Sequence, residues 1–244
     1  MYSINNFNLL YTDHRPWPLP TGNWAYYQEW NNALFLHWKV PAEDLVPLIP
    51  ANLTLDLHDN CAWVSLVAFS MEKIRPRGIP SLSAVSNFLE INVRTYVTKD
   101  NKPGVYFLNI EADKYLSVLI ARYLSGLPYE QAAVKKHFMH LGFFYSSENK
   151  KKGFKLSTGF DVREPIVNGT VLDQWLTERY CLYLDTKGSL YRYEIHHRPW
   201  KLHTISFQDV EADYRISNLS LNGTPHLAHY SNGVQVLAWK REKV

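Results

Sequence analysis

Cysteine is scarce in this 244-residue chain: there are two, Cys61 and Cys181, each inside an apolar run. Neither has a CxxC partner or a histidine or aspartate at ligand spacing. A disulfide framework and a thiol redox motif are therefore excluded, and buried, reduced thiols are expected. GxSxG, the P-loop and GxGxxG are also absent, which removes sequence support for nucleophilic hydrolases, P-loop nucleotidases and Rossmann enzymes. No apolar stretch approaches the roughly 20 residues of a membrane span, so no membrane partner is expected. No secretory leader pattern opens the sequence, and a cytoplasmic location is expected. The Asn-x-Ser/Thr triplets at Asn168 and Asn222 then read as turns.

Charge of one sign is equally scarce. Lys and Arg number 26 against 23 Asp and Glu, a net charge of +3. Without a basic stripe interleaved with rings, no nucleic-acid partner is expected. The dense run Lys150-Lys151-Lys152, bracketed by Asn149 and Gly153, reads as a solvated hairpin tip. Zinc-type spacing is missing too. His196 and His197 are adjacent, so on a strand they point to opposite faces, and His137 and His140 have no carboxylate at motif spacing. No metal and no cofactor are expected.

What the chain does have is rings: 14% aromatic residues, with 16 Tyr and 8 Trp. Such side chains suit sheet packing and cavity walls, because each buries much area and still offers a hydrogen bond. The length fits one large domain or two small ones, and no linker or repeat divides it. We therefore expect a single domain over 1–244, with the Pro- and ring-rich segment 1–22 as an extended arm packed on it.

Patterning predicts mostly antiparallel strands with a few short helices, an α+β chain that is mainly β. A short helix is expected around Pro41 to Ile49, where Glu43 and Asp44 suit the dipole of its first turn. "CAWVSLVAFSM" (61–71) reads as a strand covered on both faces. "FLEINVRTYV" (88–97) alternates, with Glu90, Asn92, Arg94 and Tyr96 on one face and Ile91, Val93, Thr95 and Val97 on the other. It pairs with 105–113 through the turn "TKDNKPG". A helix over 114–124 is predicted to end at Gly126 and Pro128. Further hairpins are expected around the lysine tip, around Thr186-Lys187-Gly188, and around Asn232-Gly233. A short capped helix is expected over 169–178. Glu178 and Arg179 read as a structural ion pair or cap.

In a closed sheet the polar face of 88–97 would line the interior. Glu90 and Arg94 stand four strand positions apart, about 13 Å, so they would flank a ligand without meeting each other.

The segments "RPWPLPTGNWAYYQEW", "FLEINVRTYV", "KPGVYF", "ARYLSGLPY", "LTERYCLY" and "EIHHRPW" together resemble the YqjF-like family of bacterial proteins, from about Arg15 to Trp239. That family is similar in fold to the acetoacetate decarboxylase-like superfamily. The resemblance implies an antiparallel β-barrel or sheet enclosing a small-molecule cavity.

Decarboxylases of that superfamily carry Gly-Phe-Pro-Lys-Lys-Leu-Ala, in which one lysine forms a Schiff base and its neighbour depresses its pKa. Here Gly126, Leu127, Pro128 and Ala132 match the frame, but Tyr129 and Glu130 stand at the lysine positions. Neither side chain forms an imine. Lys135 and Lys136 follow five to seven residues later and read as a solvated surface pair, so no Schiff-base chemistry is expected.

By the same match, Arg122, Tyr129 and Glu130 are candidates to face the pocket, and Glu90 resembles a cavity glutamate. Arg122 and Arg94 are candidates to hold a carboxylate or carbonyl group, with Glu90, Tyr129 and Tyr96 as further ligand contacts. Tyr129, Glu130 and Glu90 are the candidates for proton transfer. The expected function is binding of a small organic molecule. The alternative is a hydratase, isomerase or non-imine decarboxylase of a small oxo-acid. Pairing of a sheet edge between identical copies stays open.

Overall fold

The computed structural model describes residues 9–244, the side chains of 120–124 excepted. The strands are β1 (Tyr26–Val40), β2 (Thr54–Leu55), β3 (Ala62–Pro76), β4 (Phe88–Lys99), β5 (Lys102–Ala112), β6 (Tyr129–Gln131), β7 (Lys135–Phe138) and β8 (Gly142–Asn149). They continue with β9 (Phe154–Pro165), β10 (Cys181–Thr186), β11 (Ser189–His196), β12 (Leu202–Ile216), β13 (Leu219–Asn222), β14 (Leu227–Ala238) and β15 (Glu242–Lys243). The helices are α1 (Ala42–Leu45), α2 (Ser83–Ser86), α3 (Tyr115–Ser125) and α4 (Val171–Thr177). None of the described helices is long and apolar enough to cross a membrane.

The sheet runs β15-β11-β10-β5-β4-β3-β1-β14-β12-β9-β8-β7, and an added β11–β14 pairing closes β11, β10, β5, β4, β3, β1 and β14 into a ring. Its pairings are antiparallel except β10 on β5; outside it, the short β6 also runs parallel to β5. This is the mainly antiparallel architecture that the alternating segments predicted.

β1, β3 and β4 form a wall buried on both faces. One face carries Leu34, Leu36, Val64, Leu66, Ile91 and Val93 into a core shared with Phe160 and Tyr214 of the outer strands. The other carries Phe35, Val67, Phe69 and Phe88 into the ring. Double burial explains why β3 reads as a largely apolar run from Ala62 to Met71, broken only by the buried Ser65 and Ser70.

Local signals behave as expected at several corners. Asp100 and Asn101 both take positive φ in the β4–β5 turn, as do Lys187 and Gly188 between β10 and β11, the geometry of tight hairpins. Gly126, at φ +73°, ends α3 where a side chain would be strained. Thr170 caps α4 in a capping box with Asp173. The arm is anchored by Arg15, which donates to Glu194 at 3.2 Å and to the Ile195 carbonyl at 2.6 Å.

The expected hairpin at Asn232-Gly233 is wrong. β14 runs straight through it, and Gly233 sits at φ +133°. The reason lies across the sheet: β1 bulges at Asn32, φ +52°, and a Cβ on Gly233 would lie 2.3 Å from the Trp30 carbonyl oxygen. The glycine permits close approach to a bulged neighbour, not a turn. Several strands were not foreseen, among them β2, β6, β7, β12, β13 and β15. The lysine tip is exposed as expected along its backbone, but Lys152 folds back to Glu130 at 3.2 Å and Asn109 at 2.9 Å.

Candidate functional site

Inside the ring lies a cavity of about 300 Å³, at the small end of the range that holds organic ligands. Strand register fixes its depth. Tyr26 pairs with Pro76 at the mouth; below come Met71 with Phe88, Phe69 with Glu90, Val67 with Asn92, and Ser65 with Arg94 at the closed end. The walls are largely apolar and mix aliphatic side chains with rings such as Trp30, Phe35, Phe107 and Trp200.

Glu90 sits on the β4 face predicted to be polar, 3% exposed. The Tyr129 hydroxyl donates to its Oε2 at 2.9 Å, and Asn92 Nδ2 to its Oε1 at 3.1 Å. Burial pushes the Glu90 carboxyl up to about 7, and the two hydrogen bonds oppose this only in part. Burial, then the nearby Glu90, holds the Tyr129 phenol well above its usual range.

Tyr129 reaches this point because β6 runs parallel beside β5, with Tyr129 opposite Ile110 on the cavity side and Glu130 opposite Glu111 on the other. Glu130 consequently meets Lys152 and Asn149, outside the cavity lining. A register shift between Val93 and Arg94 in the β4–β5 pairing supports this arrangement. It turns Ile110 and Phe107, three residues apart, to the same interior.

Arg94 closes the inner end. It is 8% exposed, its guanidinium lies 5.8 Å from the Phe35 ring centroid, and Nη2 is 3.5 Å from the Leu176 carbonyl. Its Nε has no hydrogen-bond partner, and no carboxylate lies within ion-pair distance of it among the described residues. Burial lowers its pKa, but a guanidinium keeps its proton. Arg179 lies nearby, donates Nε to the Trp175 carbonyl at 2.8 Å and is neutralised by Asp56. One uncompensated cation therefore remains at the floor.

Beneath it a buried chain of hydrogen bonds joins Asp173 to His229 at 2.9 Å, His229 to His37 at 3.1 Å, and His37 to Ser65 at 2.6 Å. Ser65 meets the Tyr96 hydroxyl, which also lies 2.8 Å from the Leu176 carbonyl. Tyr96 is thus packed under the floor against Trp175, and not among the cavity-lining residues.

Of the residues singled out in the sequence, Glu90, Arg94 and Tyr129 line one cavity, and Arg122 lies outside the described residues. Glu178 and Arg179 do not pair with each other, but the capping alternative holds: Glu178 is the C-cap of α4 and Arg179 donates to the Trp175 carbonyl in its last turn. Glu178 also accepts from Tyr180 and the Trp200 amide, and Arg179 forms part of the cavity wall. Sequence reasoning missed Arg179 and His197 as lining residues. His197 donates Nδ1 to the Arg198 carbonyl at 2.7 Å, and burial lowers its pKa to about 4, so it stays neutral.

The expected solvated lysine pair is also corrected. Lys135 is exposed, whereas Lys136 is half-buried with Nζ on Ser70 Oγ at 2.6 Å. Among the described residues, no lysine lines the cavity and no three His, Cys, Asp or Glu side chains gather as metal ligands. Cys181 lies in the wall as a free thiol raised to about 12 by burial, and Cys61 is free and half-buried.

Residues 27–235 match the DUF2071 family, described as an uncharacterized conserved protein. The chain is 36% identical over 236 residues to the uncharacterized protein YqjF of Bacillus subtilis (strain 168), covering 92% of this chain and 95% of that protein. The chain belongs to the YqjF-like family.

Solved structures similar to this YqjF-like chain include an acetoacetate decarboxylase from Legionella pneumophila, with 13% identity, a TM-score of 0.61, and 96% and 93% of the two chains covered. An acetoacetate decarboxylase-like enzyme from Sphingomonas wittichii RW1 shares 16% identity with a TM-score of 0.60, covering 95% and 97%. The enduracididine biosynthesis enzyme MppR, complexed with pyruvate, shares 9% identity with a TM-score of 0.62, covering 93% and 92%. At these identities the likeness shows the fold: this YqjF-like chain has the acetoacetate decarboxylase-like architecture.

Proposed function

We propose that this YqjF-like protein acts as a single cytoplasmic domain that binds a small organic molecule bearing a carboxylate or carbonyl group in the ring cavity. The observation that carries the reading is the cavity itself: a largely apolar hollow with a few polar side chains turned into it, among them the Glu90–Tyr129 pair, Arg94, Arg179 and His197. Apolar lining with few convergent polar groups is the usual form of a ligand site. The superfamily's imine chemistry is not part of the reading, since Tyr129 occupies the cavity where an amine would be needed.

A thermal-shift screen of small carboxylates, ketones and aldehydes tests this. A ligand at 100 times its Kd stabilises by about 2.7 kcal/mol, which raises Tm by roughly 5 to 10 °C in a chain of this size. A folded protein whose melting none of these compounds moves would contradict the proposal.

A second reading, turnover by proton transfer, is favoured by one feature. Glu90, with its pKa near 7 and a tyrosine hydroxyl donating to it, can give or take a proton at neutral pH. Product analysis on each binding compound tests this: Glu90→Gln should abolish conversion while leaving binding intact. Conversion at an unchanged rate in that variant rules Glu90 out.

A further inference from the structure

The polar groups of the cavity are layered by depth. At the mouth the lining is mostly apolar and open to solvent, with Ile79 55% and Leu82 68% exposed, and Arg75 is its charged member. Midway stands Glu90, paired with Tyr129. At the closed end lies Arg94, with Arg179 beside it already neutralised by Asp56. Between mouth and floor the wall is built of Phe69, Phe107, Phe35 and Trp200, the last two in an edge contact at 5.0 Å. Among the described residues, Arg94 is thus the floor cation without an ionic partner, beneath a shaft of rings and aliphatic side chains.

Resting on the binding role proposed above, we infer that the ligands are monocarboxylic acids with an apolar body, aryl or branched aliphatic, inserted carboxylate first onto Arg94. A buried guanidinium lacking a counter-ion is costly, and a carboxylate at that point supplies both the missing charge and an acceptor for the orphaned Nε. The apolar body then fills the shaft toward the mouth, where Ile79 and Leu82 continue the same surface.

Each alternative ligand conflicts with a layer. The second carboxylate of a short dicarboxylate would sit among the rings or beside Glu90, stripped of water and short of Arg75 at the mouth. A two- or three-carbon acid would satisfy Arg94 and leave the aromatic walls uncovered. The reverse orientation would place the carboxylate at the mouth near Arg75, whose guanidinium lies 4.0 Å from the Tyr27 ring centroid.

Isothermal titration of the full chain with phenylacetate, phenylacetamide and succinate decides between these. Phenylacetate should bind, and the amide and succinate should each be at least about 30-fold weaker, the scale of a charged hydrogen-bonded pair. Arg94→Met should erase the preference for acid over amide, and Arg75→Met should keep it. Removing an uncompensated buried cation should leave the melting temperature of Arg94→Met at or above that of the parent. Should that variant fail to fold, the acid-to-amide ratio of the parent chain still decides.

Equal affinity for acid and amide, or loss of the preference in Arg75→Met instead, overturns the inference and leaves a small-molecule cavity standing. Succinate binding as tightly as phenylacetate overturns it as well. Binding by none of the three, in a protein that the wider screen shows to bind another compound, overturns the inference alone. An empty wider screen overturns the binding role with it.

Discussion

Glu90→Gln should change how stability depends on pH, by an amount that follows from where Glu90 is buried. The folded protein holds the Glu90 proton up to about pH 7, whereas an unfolded chain releases it near 4.5. Between those values the folded state carries more protons than the unfolded one, so this group's contribution to stability falls as pH rises and is fully lost above 7. Integrated from pH 5 to pH 8.5, the loss is about 2.5 kcal/mol.

Other buried groups add their own pH dependence: burial raises Glu111 and Glu178, which act in the same sense, and lowers His37 and His229, which act in the opposite one. The wild-type curve alone would mix these contributions. The difference between Glu90→Gln and wild type removes them, because the amide keeps the shape and an acceptor for Tyr129 but does not ionise. Urea denaturation at half-unit steps from pH 5 to 8.5 should therefore show the variant gaining on wild type by about 2.5 kcal/mol, close to 1 M in midpoint if m is about 3 kcal/mol/M. A difference that stays flat across that range would falsify the buried, proton-holding carboxyl and with it the acid–base reading of the site.

Three other outcomes follow from the same geometry. Tyr129→Phe removes a donor that favours the ionised carboxylate, so it should move the Glu90 midpoint upward, visible as a displaced carboxyl resonance in a 13C NMR titration; an unchanged midpoint contradicts the 2.9 Å contact. Gly233→Ala should cost more than about 2 kcal/mol, since the new Cβ would press against the Trp30 carbonyl; a neutral effect in a urea melt would mean that the β1 bulge is not where it is described. Incubation with a β-keto acid and borohydride should leave the intact mass unchanged, and a reduced adduct mapped to any lysine would restore imine chemistry.

The polar face of β4 was legible because a strand alternates with period two, and a row of Glu90, Asn92 and Arg94 opposite Ile91 and Val93 has few other readings. Tyr129 meeting Glu90 was not legible at residue level. It depends on the three-residue β6 lying parallel to β5, which brings Tyr129 to Glu90 across 39 positions of sequence, and no local pattern encodes that. The same pairing sends Glu130 outward, so two neighbours that looked equivalent in sequence separate. Arg179 was read with Glu178 as an ion pair or a cap; the capping contact is local and was legible, whereas its ionic partner Asp56, 123 residues away, was not. At Asn232-Gly233 a strong local turn signal was overruled by a bulge on the facing strand. β12 escaped notice because its alternation changes phase at the irregularity between Phe207 and Asp209, and few of its positions are fully buried.

The account turns on where a bound acid puts its carboxylate. A crystal structure of the protein soaked with phenylacetate measures that directly. The carboxylate should lie within hydrogen-bond distance, about 3 Å, of the Arg94 guanidinium, with the ring between Phe35 and Phe69. A carboxylate found at Arg75 or on the outer surface, or a ring interior filled by side chains with no room for the acid, would contradict it.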